Sequence, residues 1–281
     1  MPPTLCFRSY GSSSAGNCLA LWTDDTCVLF DCGIGTLRGC RALLRRHQDR
    51  HGPVSALVVS HSHRDHLSAQ ALKVLGGEGI PIRCHRHVLP QLRTLHGLGA
   101  GDGSLLQGFG DGGLTVGEFR ITPVALSHWP SVPTFGFLVS AAMGTRRRTV
   151  VIATDFHDPS NLLPHLRGAD FVFVEANHDL QLLEEHFNPN SRWHLSNVKT
   201  AHLLVEAFRD GARAPGNVVL GHLSEKRNED VLARQEIRRA FARRGLKPEF
   251  ELETAPKFDA SRVIAIGPGP RERAARQGRL F

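Results

Sequence analysis

The 281-residue chain contains no apolar run approaching the ~20 residues that a bilayer-spanning helix needs, so a membrane protein is not expected. Its first residues, MPPTLCFRSY, lack the basic segment followed by an apolar one that marks a secretory leader. It also has no C-x-x-C pair. The six cysteines (Cys6, Cys18, Cys27, Cys32, Cys40 and Cys84) are spaced without a pairing pattern, which suits reduced thiols in the cytoplasm better than a disulfide framework. Lysine is scarce: among 34 basic residues only Lys73, Lys199, Lys226, Lys247 and Lys257 are not arginine. The net charge is +7. Arginine pairs with phosphate in a fork, so this excess fits a polyanionic partner. An arginine-rich proteome produces the same excess, and charge alone does not decide between the two.

What is present is ordinary in bulk, with 41% hydrophobic and 22% charged residues, and unusual in its 16 histidines. Apolar periodicity predicts strands at Leu5–Arg8, Cys18–Trp22, Cys27–Asp31 and Ala56–Ser60, with an Arg-rich helix over Leu37–Arg50. A helix (Ala69–Leu75), a strand (Ile80–Cys84) and another helix (Val88–His96) follow. Residues 97–113 are Gly-rich and are expected to form a mobile loop. Further strands are expected at Phe119–Val124, Phe135–Ser140, Thr149–Thr154, Phe171–Glu175, Asn217–Leu220 and Pro248–Glu253, with helices at Ser196–Asp210 and Glu229–Arg243. The chain therefore reads as α/β: one domain over residues 1–266, then a disordered basic tail over 267–281.

Directly after the apolar strand at Ala56–Ser60 comes His61-Ser-His-Arg-Asp-His66. In an extended backbone His61 and His63 point the same way and can reach one ion, while Asp65 and His66 lie past the bend and can serve a second. Imidazole and carboxylate without thiolate suit zinc or manganese, with iron also admissible. As core filler, four such groups would be costly to bury unpaired.

This His-x-His-x-Asp-His element resembles the hallmark of the metallo-β-lactamase superfamily. Other positions match in order. His128 follows a strand, Asp155 ends the strand at Thr149–Thr154, and His222 follows the strand at Asn217–Leu220. The resemblance implies a four-layer αββα sandwich whose site lies along one edge of the paired sheets. It also implies two divalent metal ions held by His61, His63, Asp65, His66, His128, Asp155 and His222, with Asp155 bridging them. Asp31, in Phe-Asp-Cys-Gly, matches an early Asp-x-Gly element whose carboxylate orients a ligand.

Four further stretches, Gly11–Asn17, Glu175–Asp179, His194–Asn197 and Gly221–Ser224, resemble the YycJ/WalJ family of bacterial metallohydrolases. Two departures from that family are Trp193, where glycine is usual, and the run Glu225-Lys226-Arg227-Asn228. The short interval between Asp155 and Glu175 leaves no room for the second domain that larger nuclease relatives insert. The resemblance implies a phosphodiesterase acting on DNA, single-stranded or at ends, as a 5′-to-3′ exonuclease in DNA repair. Metal-activated water would attack phosphorus in line. Asp65 and His194 are then the candidate catalytic residues, His194 for phosphate binding or leaving-group protonation. Ser196 as the N-cap of a following helix is a structural explanation for the same motif. Ser13, Ser14 and Asn17 are candidates for a substrate-touching loop, and Glu175, Asn177 and His178 for support behind the ligands. A small cyclic phosphodiester, thioester or lactone is the alternative substrate, and a silent scaffold the alternative class.

Other clusters read more plainly. Cys84-His-Arg-His87 has no partner pair for a structural zinc. His47 and His51, on a polar helix end, are expected to be solvated. Arg41, Arg45, Arg46, Arg238, Arg239 and Arg243 suit either a nucleic-acid backbone or simple solubility.

The final Gln277-Gly-Arg-Leu-Phe281 resembles the peptide by which replication and repair proteins dock on the bacterial sliding clamp. Leu280 and Phe281 would be its apolar anchors and Gln277 its hydrogen-bonding residue. Deleting residues 277–281 is expected to abolish clamp capture in a pull-down while leaving hydrolysis of free DNA intact. Undiminished capture by the truncated chain rejects the assignment.

Overall fold

Strand Phe171–Glu175 sends Phe171 and Phe173 into one core and Val172 and Val174 into another. Strand Arg146–Ala153 repeats the division, with Val150 and Ile152 on one side and Val151 and Ala153 on the other. Period-two alternation with both faces apolar requires a sheet covered on both sides. The computed structural model, which describes residues 4–98, 105–144, 146–209 and 212–267, has that arrangement.

The first sheet is built from β1 (Cys6–Ser13), β2 (Gly16–Trp22), β3 (Cys27–Cys32), β4 (Ala56–Val59), β5 (Ile82–His85) and β6 (Leu106–Phe109). Helices α1 (Leu37–His51), α2 (Ala69–Gly77) and α3 (Leu89–His96) intervene. The second sheet is built from β7 (Leu114–Val116), β8 (Phe119–Leu126), β9 (Thr134–Met143), β10 (Arg146–Ala153), β11 (Phe171–Glu175), β12 (Asn217–Gly221) and β13 (Glu251–Thr254). Its helices are α4 (Leu163–Leu166), α5 (Leu180–Glu185), α6 (Asn197–Phe208) and α7 (Asp230–Ala242). The last strand, β14 (Ile264–Ala265), returns to pair with β1.

The strand orders are β14-β1-β2-β3-β4-β5-β6 and β13-β12-β11-β10-β9-β8-β7. β3 to β6 run parallel, as do β10 to β13, and the remaining pairs are antiparallel. The inner faces meet through Phe7 against Phe171 (4.5 Å between ring centroids) and Phe30 against Phe137 (5.4 Å). Leu44, Leu75 and Leu92 bring α1, α2 and α3 onto the first sheet, while Leu204, Ile237 and Phe241 bring α6 and α7 onto the second. The result is a four-layer αββα sandwich. Side-chain caps fix where four α-helices begin: Thr36 accepts from Gly39 N, Ser68 from Ala71 N, Asp179 from Gln181 N and Leu182 N, and Ser196 from Lys199 N.

Two expectations fail. The Gly-rich stretch 97–113 is not all loop, because Leu106–Phe109 forms an edge strand parallel to β5. Gly108 belongs to that strand for packing reasons: a Cβ there would lie 3.2 Å from Leu89 and 3.3 Å from the Arg86 backbone. His47, expected in solvent, is buried. Cys40, Leu44 and His47 share the inward face of α1 at helical spacing, and His51 continues the row against Trp22, 4.6 Å away. His47 Nδ1 lies 2.6 Å from the Tyr10 hydroxyl and Nε2 lies 3.0 Å from Cys27 Sγ.

Burial, reinforced by the nearby charges of His51 and Arg8, pushes the His47 imidazole down to about 4. A histidine kept neutral by the fold withdraws stability as pH falls below its unfolded value near 6.5, and the loss is complete near the folded value. Between pH 7 and pH 5 this group alone is expected to cost about 2 kcal/mol. Urea denaturation of His47→Phe should show a smaller loss over that interval than the parent. Parallel pH profiles would refute the assignment.

Candidate metal centre

Strand ends deliver the site. Asp31 closes β3, the His61–His66 loop follows β4, His128 follows β8, Asp155 follows β10, Glu175 ends β11 and His222 follows β12. Asp31, Asp155 and His222 all adopt left-handed backbone conformations, with φ of 56°, 60° and 53°. Each such residue costs of order 1–3 kcal/mol and persists only where its surroundings over-determine it. Gly33 clamps the histidine loop from behind. Cys32 N donates to His66 O (2.7 Å) and Asn17 N to Asp65 O (2.8 Å), drawing the two backbones so close that a Cβ on Gly33 would sit 1.9 Å from Asp65 O.

The seven candidate ligands converge. His61, His63 and His128 form one group, and Asp65, His66, Asp155 and His222 another, with the donor atoms of each group within 4.8 Å of one another. Asp155 stands between them. Its Oδ2 is 2.9 Å from His66 Nε2, and its Oδ1 is 3.3 Å from His222 Nε2 and 3.7 Å from His128 Nε2. A third group joins Asp155 and His222 to Glu175 and His194.

The outward nitrogens are held by other partners. His66 Nδ1 donates to Asp31 (2.8 Å), His128 Nδ1 to the Trp193 carbonyl (3.0 Å), while His61 Nδ1 meets Ser60 Oγ (3.0 Å) and His222 Nδ1 meets Asn17 Nδ2 (3.0 Å). Asp31 also accepts from Ser60 N (2.8 Å) and Ser60 Oγ (2.9 Å). Fixing one ring nitrogen orients the other inward.

This donor set fits divalent cations. Burial holds His61 well below the usual imidazole range and brings His128 and His222 down to about 4, so these rings are neutral ligands at pH 7. Burial alone would raise the Asp155 carboxyl, but His222 and His66 hold it well below its ordinary value. Its buried Oδ2 nevertheless has no hydrogen-bond partner, although His66 Nε2 is near. A cation between the carboxylate and the imidazoles satisfies that atom.

His194 differs. Burial works against its charge, but Glu175, 2.6 Å from Nδ1, and Asp155, 3.5 Å away, raise it to about 9. Glu175 is itself pinned by Phe156 N (3.1 Å) and Leu195 N (3.3 Å). Ser196 also caps α6, so the His-Leu-Ser-Asn stretch serves both structure and site.

The remaining candidates divide. Asn177 donates to the His222 carbonyl (3.0 Å) and Asn17 contacts His222 directly, so both support the ligand strand ends. Ser14 lines the open pocket, of about 220 Å³, beside His63, Asp65, His194 and His222. Ser13 does not: it is buried and accepts from Ala15 N within its own turn. His178 lies on the far side of His194, in a neighbouring groove. His85 and His87 join no group of converging ligands among the described residues. None of the helix arginines singled out above lines the pocket around the ligands, whereas Arg227 does. Gln277, Leu280 and Phe281 lie outside the described residues. Sequence reasoning missed Ser60, the Trp193 carbonyl, Trp129, Asn188, Ser191 and Arg227. Ser60 immediately precedes the histidine motif, and Arg227 and Trp193 fall at the two departures from the family pattern.

Residues 26–222 match the family described as the β-lactamase superfamily domain, and the chain belongs to that superfamily. With this fold and site it is a metal-dependent hydrolase. The chain is similar to Exodeoxyribonuclease YycJ of Bacillus anthracis, 25% identical over 267 residues that cover 90% of this chain and 97% of the relative. It is also similar to Exodeoxyribonuclease WalJ of Streptococcus pneumoniae serotype 2, 26% identical over 233 residues covering 79% and 82%. Among solved structures, the metallo-β-lactamase fold protein YhfI from Bacillus subtilis superposes with a TM-score of 0.66 at 21% identity, covering 93% of this chain and 99% of that one. No helix among the described residues is long and apolar enough to cross a membrane.

Replacing Gly33 by alanine should push the Asp65 carbonyl away and separate Asp65 from His66, lowering bound divalent metal per chain in elemental analysis. Overpacking of this kind costs about 1–3 kcal/mol, so the variant is expected to fold with a lower Tm. Gly77→Ala, where an added Cβ meets nothing within 4 Å, is the control and should retain full metal content. Equal metal in the two variants would show that the loop clamp is not needed.

Proposed function

We propose that this protein is a dinuclear metal-dependent phosphodiesterase, a DNA exonuclease that removes nucleotides from single-stranded DNA or DNA ends in repair. The observation that carries this reading is the position of His194. A protonated imidazole beside Asp155, the carboxylate that would serve both cations, is what a phosphodiester demands, because its alkoxide leaving group must collect a proton. The DNA substrate is supported by the similarity to two proteins named exodeoxyribonucleases, which extends over most of both chains, and the 5′-to-3′ polarity is what the YycJ/WalJ motif resemblance implies.

His61, His63 and His128 would hold one cation, Asp65, His66 and His222 the other, and Asp155 both; zinc and manganese suit the donors best. Such cations supply Lewis-acid stabilisation of the phosphoryl oxygens and acidify the attacking water. The protein's part is arrangement. Asp31, Asn17, Ser60 and the Trp193 carbonyl hold the rings in register. Arg227 and Ser14, in the wall of the pocket, bind the nonbridging oxygens. Glu175 keeps His194 charged and oriented through Nδ1, so that Nε2 delivers the proton to the departing oxygen as the P–O bond breaks.

Release of nucleotides from end-labelled DNA with added manganese tests the reading. The double variant Asp65→Ala/His66→Ala should release none. His194→Ala should retain its metal and lose about 10²–10⁴-fold in kcat. If the parent leaves DNA intact but opens a cyclic phosphodiester, a thioester or a lactone, the same centre serves a small molecule instead.

A further inference from the structure

Beside the metal-side pocket runs a second groove, of about 360 Å³, lined on its apolar side by Leu180, Leu183, Phe187 and Pro189. The two cavities share Asn188, Ser191 and His194 as a common wall, so a ligand in one abuts the chemistry in the other. Phe187 is 78% exposed, more than any other large apolar side chain among the described residues, and Leu180 is 48% exposed. The groove is mainly apolar, yet its rim carries the exposed Arg192 and Lys199. Two of its polar residues are left unsatisfied: Ser191, 3% exposed, has no partner for Oγ, and His178, 5% exposed, has none for Nδ1.

We infer that this groove is a nucleobase pocket, which holds the unpaired base next to the scissile phosphate with Phe187 as its stacking face. The inference rests on the phosphodiesterase reading above and gives it a substrate preference. A base offers a flat apolar face to Phe187, and its polar edge would meet Ser191 and His178 once small side-chain shifts bring the enclosed Oγ and Nδ1 to the groove surface. The phosphate attached to that nucleoside then falls beside His194, and the next one lies within the field of Arg192 and Lys199. A paired base cannot enter, because its face is stacked and its edge is occupied. The groove therefore selects single strands and frayed ends by what it requires of the base. A purely electrostatic cleft would need no exposed phenyl ring at its mouth, and a dry protein-docking groove would gain nothing from unpartnered polar atoms in its wall.

Binding and cleavage test this separately. In metal-free protein with chelator present, a single-stranded oligonucleotide carrying 2-aminopurine near its end should be quenched on binding. Phe187→Ala should lose most of that quenching and Phe187→Trp should keep it; Phe187 is exposed, so neither change threatens folding. In the metal-loaded enzyme, Phe187→Ala should raise KM for single-stranded DNA by at least about fivefold, with kcat little altered. With a substrate abasic at that position, parent and variant should become equal. Phe187→Ala that quenches and cleaves like the parent, or a parent indifferent to the abasic site, overturns the pocket while leaving the nuclease reading intact. A parent that neither binds nor cleaves DNA overturns both.

Discussion

A carboxylate buried among imidazoles is the constraint on which the rest of the structure depends. Asp155 is 1% exposed and has His66, His222, His194 and His128 within 3.7 Å. A charge so placed is tolerable only if its neighbours are fixed to a fraction of an ångström, since the Coulomb term that offsets desolvation falls away with separation. Two sheets ending together at one edge provide that fixity. Their strands arrive pre-aligned by backbone ladders, and the aromatic contacts of Phe7 and Phe30 hold the sheets against one another. The turn out of each strand must be abrupt for a side chain at its end to face inward. That is why residues other than glycine accept the left-handed conformation at Asp31, Asp155 and His222.

Much of this was legible in the sequence, and the boundary of legibility has a physical explanation. A ligand motif is local: His61 to His66 lie within one loop, and Asp155 and His222 each follow an apolar run whose period announces a strand. The support behind the ligands is not local. The Trp193 carbonyl holds His128 from far along the chain, and a backbone oxygen has no sequence identity to read. Gly33 was readable as part of a motif, but its reason, the contact with Asp65 O, exists only once β3 and the histidine loop are side by side. His47 was misread because a polar run on a helix masks one inward-facing member. The spacing of Cys40, Leu44 and His47 carried the correct signal, and residue type outweighed it. The glycines of 97–113 misled in the same way: Gly108 marks close packing, which composition cannot distinguish from a loop.

One kind of burial gives opposite protonation states in this site, and the division decides what the centre can do. His61, His128 and His222 are pushed toward the neutral form because desolvation dominates, leaving lone pairs free for a cation. His194, somewhat more exposed than these, is held charged because Glu175 reaches it at 2.6 Å. Glu175 can do so only because the Phe156 and Leu195 amides fix its other oxygen. Neighbours rather than residue type thus separate the rings raised toward the charged form, His194 and also the candidate ligand His66 beside Asp31, Asp155 and Asp65, from the neutral ones. The separation also gives the site a direction. Groups that could hold cations occupy the strand ends on one side, and His194, the proton donor of the proposed reaction, stands at the wall shared with the Phe187 groove. On the proposed nuclease reading, a diester entering this site would be asymmetric before any bond changes: the ester oxygen nearest His194 would be the one that departs with a proton, so the groove side of the substrate would fix which fragment leaves.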